Sequence, residues 1–204
     1  VNHLETTAVS NYNALQTTFR LKPRRGLSTT INYTWSHSID NASDGQDFVT
    51  NASQPDNSHR PDRERANSNF DVRQRLVWAF TYELPKWGGP LAKLTAGWQF
   101  NGVLTLQSGQ PYHIVLFDDY NGTGEYFPRP DVVGDPYAGT SAPDRFLNLE
   151  AFQVPCTFVP GSENDPDIAG TAAACDPSTF RFGSLGRNSL RGPDYRNFDF
   201  SIFK

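Results

Sequence analysis

The chain has 204 residues, with 18 Lys+Arg against 22 Asp+Glu, four His, two Cys and no Met, for a formal charge of -4. Its 16 Gly and 15 Pro make up about 15% of the residues, short of the ~25–30% of low-complexity chains, and 13% aromatic content argues against disorder throughout. A slightly acidic chain has no basic footprint for phosphate backbones, which sets nucleic acid aside as a partner.

A membrane helix is also excluded. The window from Leu94 to Phe117 holds no Asp, Glu, Lys or Arg, but Gln99, Asn101, Gln107, Gln110 and Pro111 break it, and a ~20-residue apolar span does not tolerate that. Membrane strands stay open. The chain begins at Val1 with neither a Met nor a charged-then-apolar signal segment, so the expectation is an excerpt of something longer.

In chain order, the first signal is alternation from Tyr12 to Lys22. Leu15, Thr17, Phe19 and Leu21 face one way, and Ala14, Gln16, Thr18, Arg20 and Lys22 the other. Successive side chains on a strand point to opposite faces, so a strand is expected near 12–22. Pro23, Arg24, Arg25 and Gly26 then supply a fixed and a permissive backbone angle, the chemistry of a tight hairpin turn. A second strand, near 27–36, sets Leu27, Thr29, Ile31, Tyr33 and Trp35 against Ser28, Thr30, Asn32, Thr34 and Ser36. The third, near 72–84, sets Leu76, Trp78, Phe80, Tyr82 and Leu84 against Arg73, Arg75, Val77, Ala79, Thr81 and Glu83, and stops at Pro85. After a Gly88, Gly89, Pro90 turn, the fourth runs near 98–109, with Trp98, Phe100, Gly102, Leu104 and Leu106 opposite Gln99, Asn101, Val103, Thr105 and Gln107. A fifth, near 196–204, sets Phe198, Phe200 and Ile202 against Asn197, Asp199 and Ser201. No helix signal competes.

A soluble sandwich turns such an apolar face inward, whereas a membrane barrel turns it outward to lipid. Three features favour the barrel. Each strand has about ten alternating residues, enough to cross a bilayer at ~45° tilt, where soluble strands average about five or six. No charged residue stands at the apolar positions, while the opposite face carries Arg20, Lys22, Arg73, Arg75, Glu83 and Asp199; a midplane Arg facing lipid would cost ~2–4 kcal/mol. The connections alternate between a few residues, about thirty, about a dozen and about eighty, the rhythm of short periplasmic turns and long outer loops. That orientation puts Trp35 at the outer end and Tyr82, Trp87 and Trp98 at the periplasmic end, as an interfacial belt would.

Several blocks carry a family resemblance. Tyr12-Asn13-Ala14-Leu15 opens a strand, Asn32-Tyr33-Thr34-Trp35-Ser36 closes the next, and Phe70-Asp71-Val72-Arg73 leads to Tyr82-Glu83-Leu84-Pro85. Gly97-Trp98-Gln99 leads to Gln107-Ser108-Gly109-Gln110-Pro111. The most specific block is Gly186-Arg187-Asn188-Ser189-Leu190-Arg191-Gly192-Pro193, followed by Asn197-Phe198-Asp199-Phe200-Ser201. In this order they resemble a late stretch of the barrel of TonB-dependent outer-membrane transporters of the Oar-like type. The resemblance implies a 22-stranded barrel around an internal plug, importing a scarce solute with energy passed through TonB. The plug, the TonB-contact segment and most strands would then lie outside these residues. Five strands cannot close a barrel, because their outer edges would leave backbone groups unpaired in lipid.

Candidate sites are few. Cys156 and Cys175 enclose eighteen residues; a disulfide there would contribute on the order of 3 kcal/mol in the chain-entropy picture, with two free thiols as the alternative. Two Cys without a nearby His fall short of a tetrahedral metal site. His3, His37, His59 and His113 show no ligand spacing and read as solvated loop histidines. Asp165-Pro166-Asp167-Ile168-Ala169-Gly170 begins like a calcium loop but has Ala where a third oxygen ligand belongs and no closing Glu. Phe182-Gly183-Ser184-Leu185-Gly186 misses the nucleophile-elbow pattern at its first position, and Ser108, His113 and Asp118 have no spacing that implies a triad. Arg20, Lys22, Arg73, Arg75 and Glu83 would line a wet lumen, either tuning solute selectivity or pairing with acids on the plug and on neighbouring strands. Tyr120, Tyr126, Phe127 and Tyr137, in the long loop after Val115, are the candidates for stacking on a sugar or another flat ligand.

The expectation is therefore an all-β fragment of an antiparallel up-and-down transmembrane β-barrel, of about five strands, with long extracellular loops at 37–70 and 111–194. It would occupy 1–204 as a partial barrel domain in the outer membrane of a Gram-negative-type bacterium, as barrel wall of a receptor importing an unidentified solute. No catalytic residue, metal or cofactor is expected. The expected partners are outer-membrane lipid, the remaining strands and plug of the parent chain and, through the resemblance alone, TonB. The competing reading is a secreted soluble β-rich adhesion or carbohydrate-binding module, which would pack Phe19, Ile31, Phe80 and Leu104 into a closed dry interior.

Overall fold

The alternating segments form strands in the computed structural model, which describes residues 6–43, 55–57, 59–85, 96–124, 127–141 and 145–204. In chain order these are β1 (Ser10–Arg24), β2 (Leu27–Asp40), β3 (Ala66–Asn67), β4 (Gln74–Glu83), β5 (Gln99–Gln107), β6 (Pro111–Tyr112), β7 (Asp131–Val132), β8 (Phe152–Gln153), β9 (Leu190–Arg191) and β10 (Tyr195–Phe203). Only short 3-10 turns interrupt them, and there is no α-helix among the described residues. The expected Gly88, Gly89, Pro90 turn, with His3, Trp87 and Tyr126, lies outside the described residues. The chain divides into a sheet unit, Tyr12–His37, Asp71–Gln110 and Asp194–Lys204, and a loop unit made of the described parts of Val1–Asn11, Ser38–Phe70 and Pro111–Pro193.

The long strands lie side by side in the order β1-β2-β4-β5-β10. The hairpin between β1 and β2 turns on two residues, Arg25 (φ 52°) and Gly26 (φ 83°), the positive pair that matches the twist of the flanking strands. Pro23 was expected in this turn but stands within β1, where an edge strand tolerates its missing N–H. At Gly26 a Cβ would stand 2.2 Å from the Glu83 carbonyl oxygen, so only glycine lets β4 approach.

Register decides what the two faces carry. Across β2 and β4, Leu27 meets Tyr82, Ile31 meets Trp78 and Tyr33 meets Leu76. Trp78 then meets Leu104, and Tyr82 meets Phe100, on β5; Leu104 meets Phe198, and Phe100 meets Ile202, on β10. A slip of one residue at any pairing would mix the faces. With this register, four strands present one continuous apolar side. Phe19 is 55% exposed, and Ile31, Phe80 and Leu104 are half-buried, so none of the four lies in a closed interior. Two polar groups on that side are paired locally: the Thr29 hydroxyl accepts from Trp78 Nε1 at 2.7 Å and donates to the Ala79 carbonyl at 2.9 Å. The opposite side is joined by polar contacts, Thr18 Oγ1 to Asn32 Oδ1 and Thr81 Oγ1 to Asn101 Oδ1, both 2.9 Å.

The ten residues of β4, rising ~3.3 Å each at ~45° tilt, span roughly 23 Å, close to the ~25 Å apolar band of an outer-membrane barrel. Arg196, the partner of Leu106, and Lys204, whose ammonium lies 5.2 Å from the centre of the Trp98 ring, bracket Phe198, Phe200 and Ile202 at the two ends of the last strand. A cation is tolerated at such ends because its long stem can carry the charge to the interface.

In the loop unit, β6 pairs with β9, β7 with β8, and β3 with the end of β2 through Ile39↔Asn67 and Asp40↔Ala66. The stretches between the strands thus have a folded structure of their own. Its buried apolar residues are few, Tyr120, Ala151, Ala174, Leu185 and Leu190 among them, and charged groups fill much of the remainder.

Gly102 lies on the apolar side of the sheet unit, where an added Cβ would stand 2.4 Å from Phe80 Cε1 and 3.1 Å from Phe198 Cε2. Gly102→Val should therefore lower the stability of the full protein in detergent by about 1–3 kcal/mol, the usual cost of overpacking. An unchanged denaturation midpoint would mean that the two rings do not cover this position.

Candidate functional site

Two sets of residues have functional potential, one on the polar side of the sheet and one inside the loop unit. On the sheet, Arg20, Lys22, Ser28, Thr30, Thr81, Asn101 and Val103 help line a shallow depression of about 470 Å³. Leu21, Thr29, Phe80 and Gly102 line it as well, so the depression does not belong to the polar side alone. Arg75 and Glu83 share that side through their pairings with Gln107 and Gln99. Arg20, Lys22, Arg75 and Glu83 are all exposed. Arg73 is engaged instead: its Nε donates to Asp71 at 2.9 Å, and its Nη2 lies 2.8 Å from His37 Nε2. The acid it meets is two residues back in its own segment and almost wholly buried.

In the loop unit, the buried arginines and acids join the two long connections. Glu64 ends the 3-10 turn Pro61–Glu64 and is buried. Arg129 grips it with both terminal nitrogens, at 2.9 Å each, and also reaches Asp56 at 3.0 Å. Arg187 donates to the Glu64 carbonyl at 2.8 Å, to the Asp40 carbonyl at 2.7 Å and to the Asp40 carboxylate. Burial works against the charge on Asp40, but hydrogen bonds from Ser68, Arg187 and Ser43 outweigh it and hold the carboxyl below the usual range. At Asp56 burial prevails over Arg129 and Arg63 and pushes the carboxyl up. Nearby, Arg181 holds the Asp131 carboxyl down, against the pull of burial.

Asn188 bolts the same connections together. It is 1% exposed and left-handed (φ 49°), a conformation asparagine tolerates. Its side-chain nitrogen donates to the Asn67 carbonyl at 2.8 Å and to Asn69 Oδ1 at 2.7 Å, and its own carbonyl accepts from Asn67 Nδ2 at 2.9 Å. With the amide nitrogen so committed, its Oδ1 faces His113 Nδ1 at 3.0 Å, and the Asn188 backbone N–H points at the same ring nitrogen at 3.5 Å. His37 and His113 are thus half-buried and bonded, not the solvated loop histidines the sequence suggested; His59 is exposed. Spacing could not reveal this, because the partners lie 36 and 75 residues away.

The aromatic candidates have separate roles. Tyr120 is buried, and its hydroxyl donates to the Gly170 carbonyl at 2.6 Å, so the expectation of a free stacking face fails there: the ring anchors one loop segment to another. Phe127 is half-buried, edge-on to exposed Phe117. Tyr137 is 38% exposed, stands edge-on to Phe146 and exchanges two hydrogen bonds with the Arg191 backbone. Cys156 and Cys175 are joined by a disulfide. The described residues contain no group of three or more His, Cys, Asp or Glu placed to hold a metal.

Arg187 was part of the most distinctive sequence block, but its role came only with the fold. Removing one member of a buried pair leaves the other charge uncompensated, so Arg187→Leu should destabilise the loop unit by about 3–5 kcal/mol, and adding Asp40→Asn should recover part of that. Amide exchange in 38–70 and 111–193 of the full protein reads the effect. A double variant as unstable as the sum of the two single ones would rule out the coupling.

No curated protein and no solved structure matches the chain. A family match does exist, to the family described as "Outer membrane beta barrel domain", and it covers residues 1–204. It agrees with an all-β antiparallel sheet whose apolar side is exposed, and it rules out the secreted soluble module. The chain belongs to the outer membrane beta barrel domain family and resides in the outer membrane of a Gram-negative bacterium.

Proposed function

We propose that the chain is a stretch of barrel wall with its outer loops in a TonB-dependent receptor of the Oar-like type, which imports a solute and catalyses no reaction. The observation that carries this reading is the register, which puts Leu, Ile, Phe and Trp side chains on one side of the long strands, with cations only at its ends, and exposed Arg20, Lys22, Arg75 and Glu83 on the other. On this reading lipid covers the first side. Arg20, Lys22, Arg75 and Glu83 face either the solute path or acids and bases of a plug. The far edges of β1 and β10 have no strand partner among the described residues. In hydrocarbon an open edge costs several kcal/mol per unpaired group, so further strands of the parent chain must cover them. The sequence blocks that end in Gly186–Pro193 and Asn197–Ser201 support the receptor type and, through it, TonB as the energy source. For capture of the solute, the exposed Tyr137 and Phe117, with Phe127 beside it, are better placed than Tyr120.

Depletion of solutes from the growth medium tests import directly. At least one solute consumed by wild-type cells should persist both in cells lacking this protein and in cells lacking TonB. Unchanged depletion without the protein would contradict import, and depletion that survives loss of TonB would contradict the energy source.

A further inference from the structure

We propose that the end of the sheet where β1 turns into β2 docks anionic phospholipid, with Arg24 and Arg25 of the hairpin meeting the headgroup phosphate. The inference takes the short turn as the periplasmic end of strands that cross the membrane, and it is independent of what the protein imports.

Charge is divided unevenly between the two ends of the long strands. At the hairpin end stand Lys22, Arg24 and Arg25, with Lys204 just after β10, all exposed. Lys22, Arg24 and Arg25 have no ion-pair partner among the described residues. The described acid of this end is Glu83, which lies opposite Gln99 on the polar side. At the far end Arg73 and Arg196 have Asp71 and Asp194 beside them, and Arg75 does not. The connections that leave the far end are acidic, with six Asp+Glu against three Lys+Arg in 38–70 and eleven against five in 111–193. An anionic surface is therefore attracted to the hairpin end and repelled at the other.

Two further observations favour a lipid as the anion. On the apolar side, Leu27, Tyr82, Phe100 and Ile202 form one row across four strands. Trp98 lies beyond that row, with the Lys204 ammonium 5.2 Å from the centre of its ring. Acyl chains along this face bring a headgroup to the level of the aromatic rings and the cations. The hairpin itself supplies the second. Arg25 takes the first of its two left-handed positions (φ 52°), where Asn, Asp or Gly is the usual residue. An arginine held there against backbone preference, at an exposed tip, points to a use for its charge.

The test uses the full protein in phosphatidylcholine bilayers, with a fluorophore on Leu27→Cys or, separately, on Tyr33→Cys near the far end of β2. Both positions are on the apolar side, and the two cysteines of the chain are already joined to each other. Quenching by nitroxide-labelled phosphatidylglycerol, compared with the same label on phosphatidylcholine, reads the local preference for the anionic lipid. One basic residue at an anionic lipid surface is worth about fivefold, so phosphatidylglycerol should be favoured about threefold or more at Leu27→Cys and less than about twofold at Tyr33→Cys. Arg24→Gln with Arg25→Asn removes both charges and puts a favoured residue at the left-handed position, and it should bring the preference at Leu27→Cys below about twofold. Arg24→Lys with Arg25→Lys should keep it. A wild-type preference below about threefold at Leu27→Cys, or an equal one at Tyr33→Cys, overturns the proposal. So does a preference that survives loss of both charges, or one that is lost with both lysines in place.

Discussion

A backbone amide or carbonyl left unpaired in hydrocarbon costs several kcal/mol, and a strand presents one of each at every residue. The sheet of this chain is arranged around that constraint. Nine successive residues pair across β4 and β5, and nine across β5 and β10. Near the middle of the apolar side, Trp78 and Thr29 follow the same rule through the Trp78–Thr29–Ala79 chain of hydrogen bonds. The cations on that side stand at its ends, where their charge can reach water.

The loop unit meets a different constraint. Among its described residues few large apolar side chains are buried, and matched charges occupy much of the interior instead. Arg129 and Arg187 each join groups far apart in the chain, Asp56 and Glu64 for the first, Asp40 and Glu64 for the second. A buried ion pair adds little net stability against an apolar alternative, but its loss is expensive, so the device specifies which loop meets which. The disulfide at Cys156–Cys175 and the Tyr120–Gly170 contact fix local segments within the same unit.

The sheet was legible in the sequence because its signal is local. Alternation at period two is visible over ten residues, and Leu76, Trp78, Phe80 and Tyr82 declare a face without reference to any partner. Even the hairpin was marked by its Gly26, although Pro23 drew the turn two residues too early. The loop unit was not legible for the opposite reason. β3, β6, β7, β8 and β9 are two residues long, too short to show a period. The bonds of Arg129 and Arg187 join residues 65 to 147 apart. Arg187 and Asn188 stood out as part of a distinctive block, yet nothing local could say that Asp40, Glu64 and Asn67 were waiting for them. Tyr120 was misread because an aromatic ring in a polar loop looks the same whether it meets solvent, a ligand or a carbonyl across the loop.

The proposal that lipid covers the apolar side is tested most directly by solvent mapping along alternate positions. Spin labels attached at Trp78→Cys, Leu104→Cys and Phe200→Cys, and separately at Ala79→Cys, Val103→Cys and Asp199→Cys, would be read in the full protein in bilayers. Collision with dissolved oxygen, which concentrates in hydrocarbon, should dominate at the first three, and collision with a water-soluble nickel complex at the second three. Low accessibility to both reagents at 78, 104 and 200 would place those side chains in a closed protein core and contradict the account.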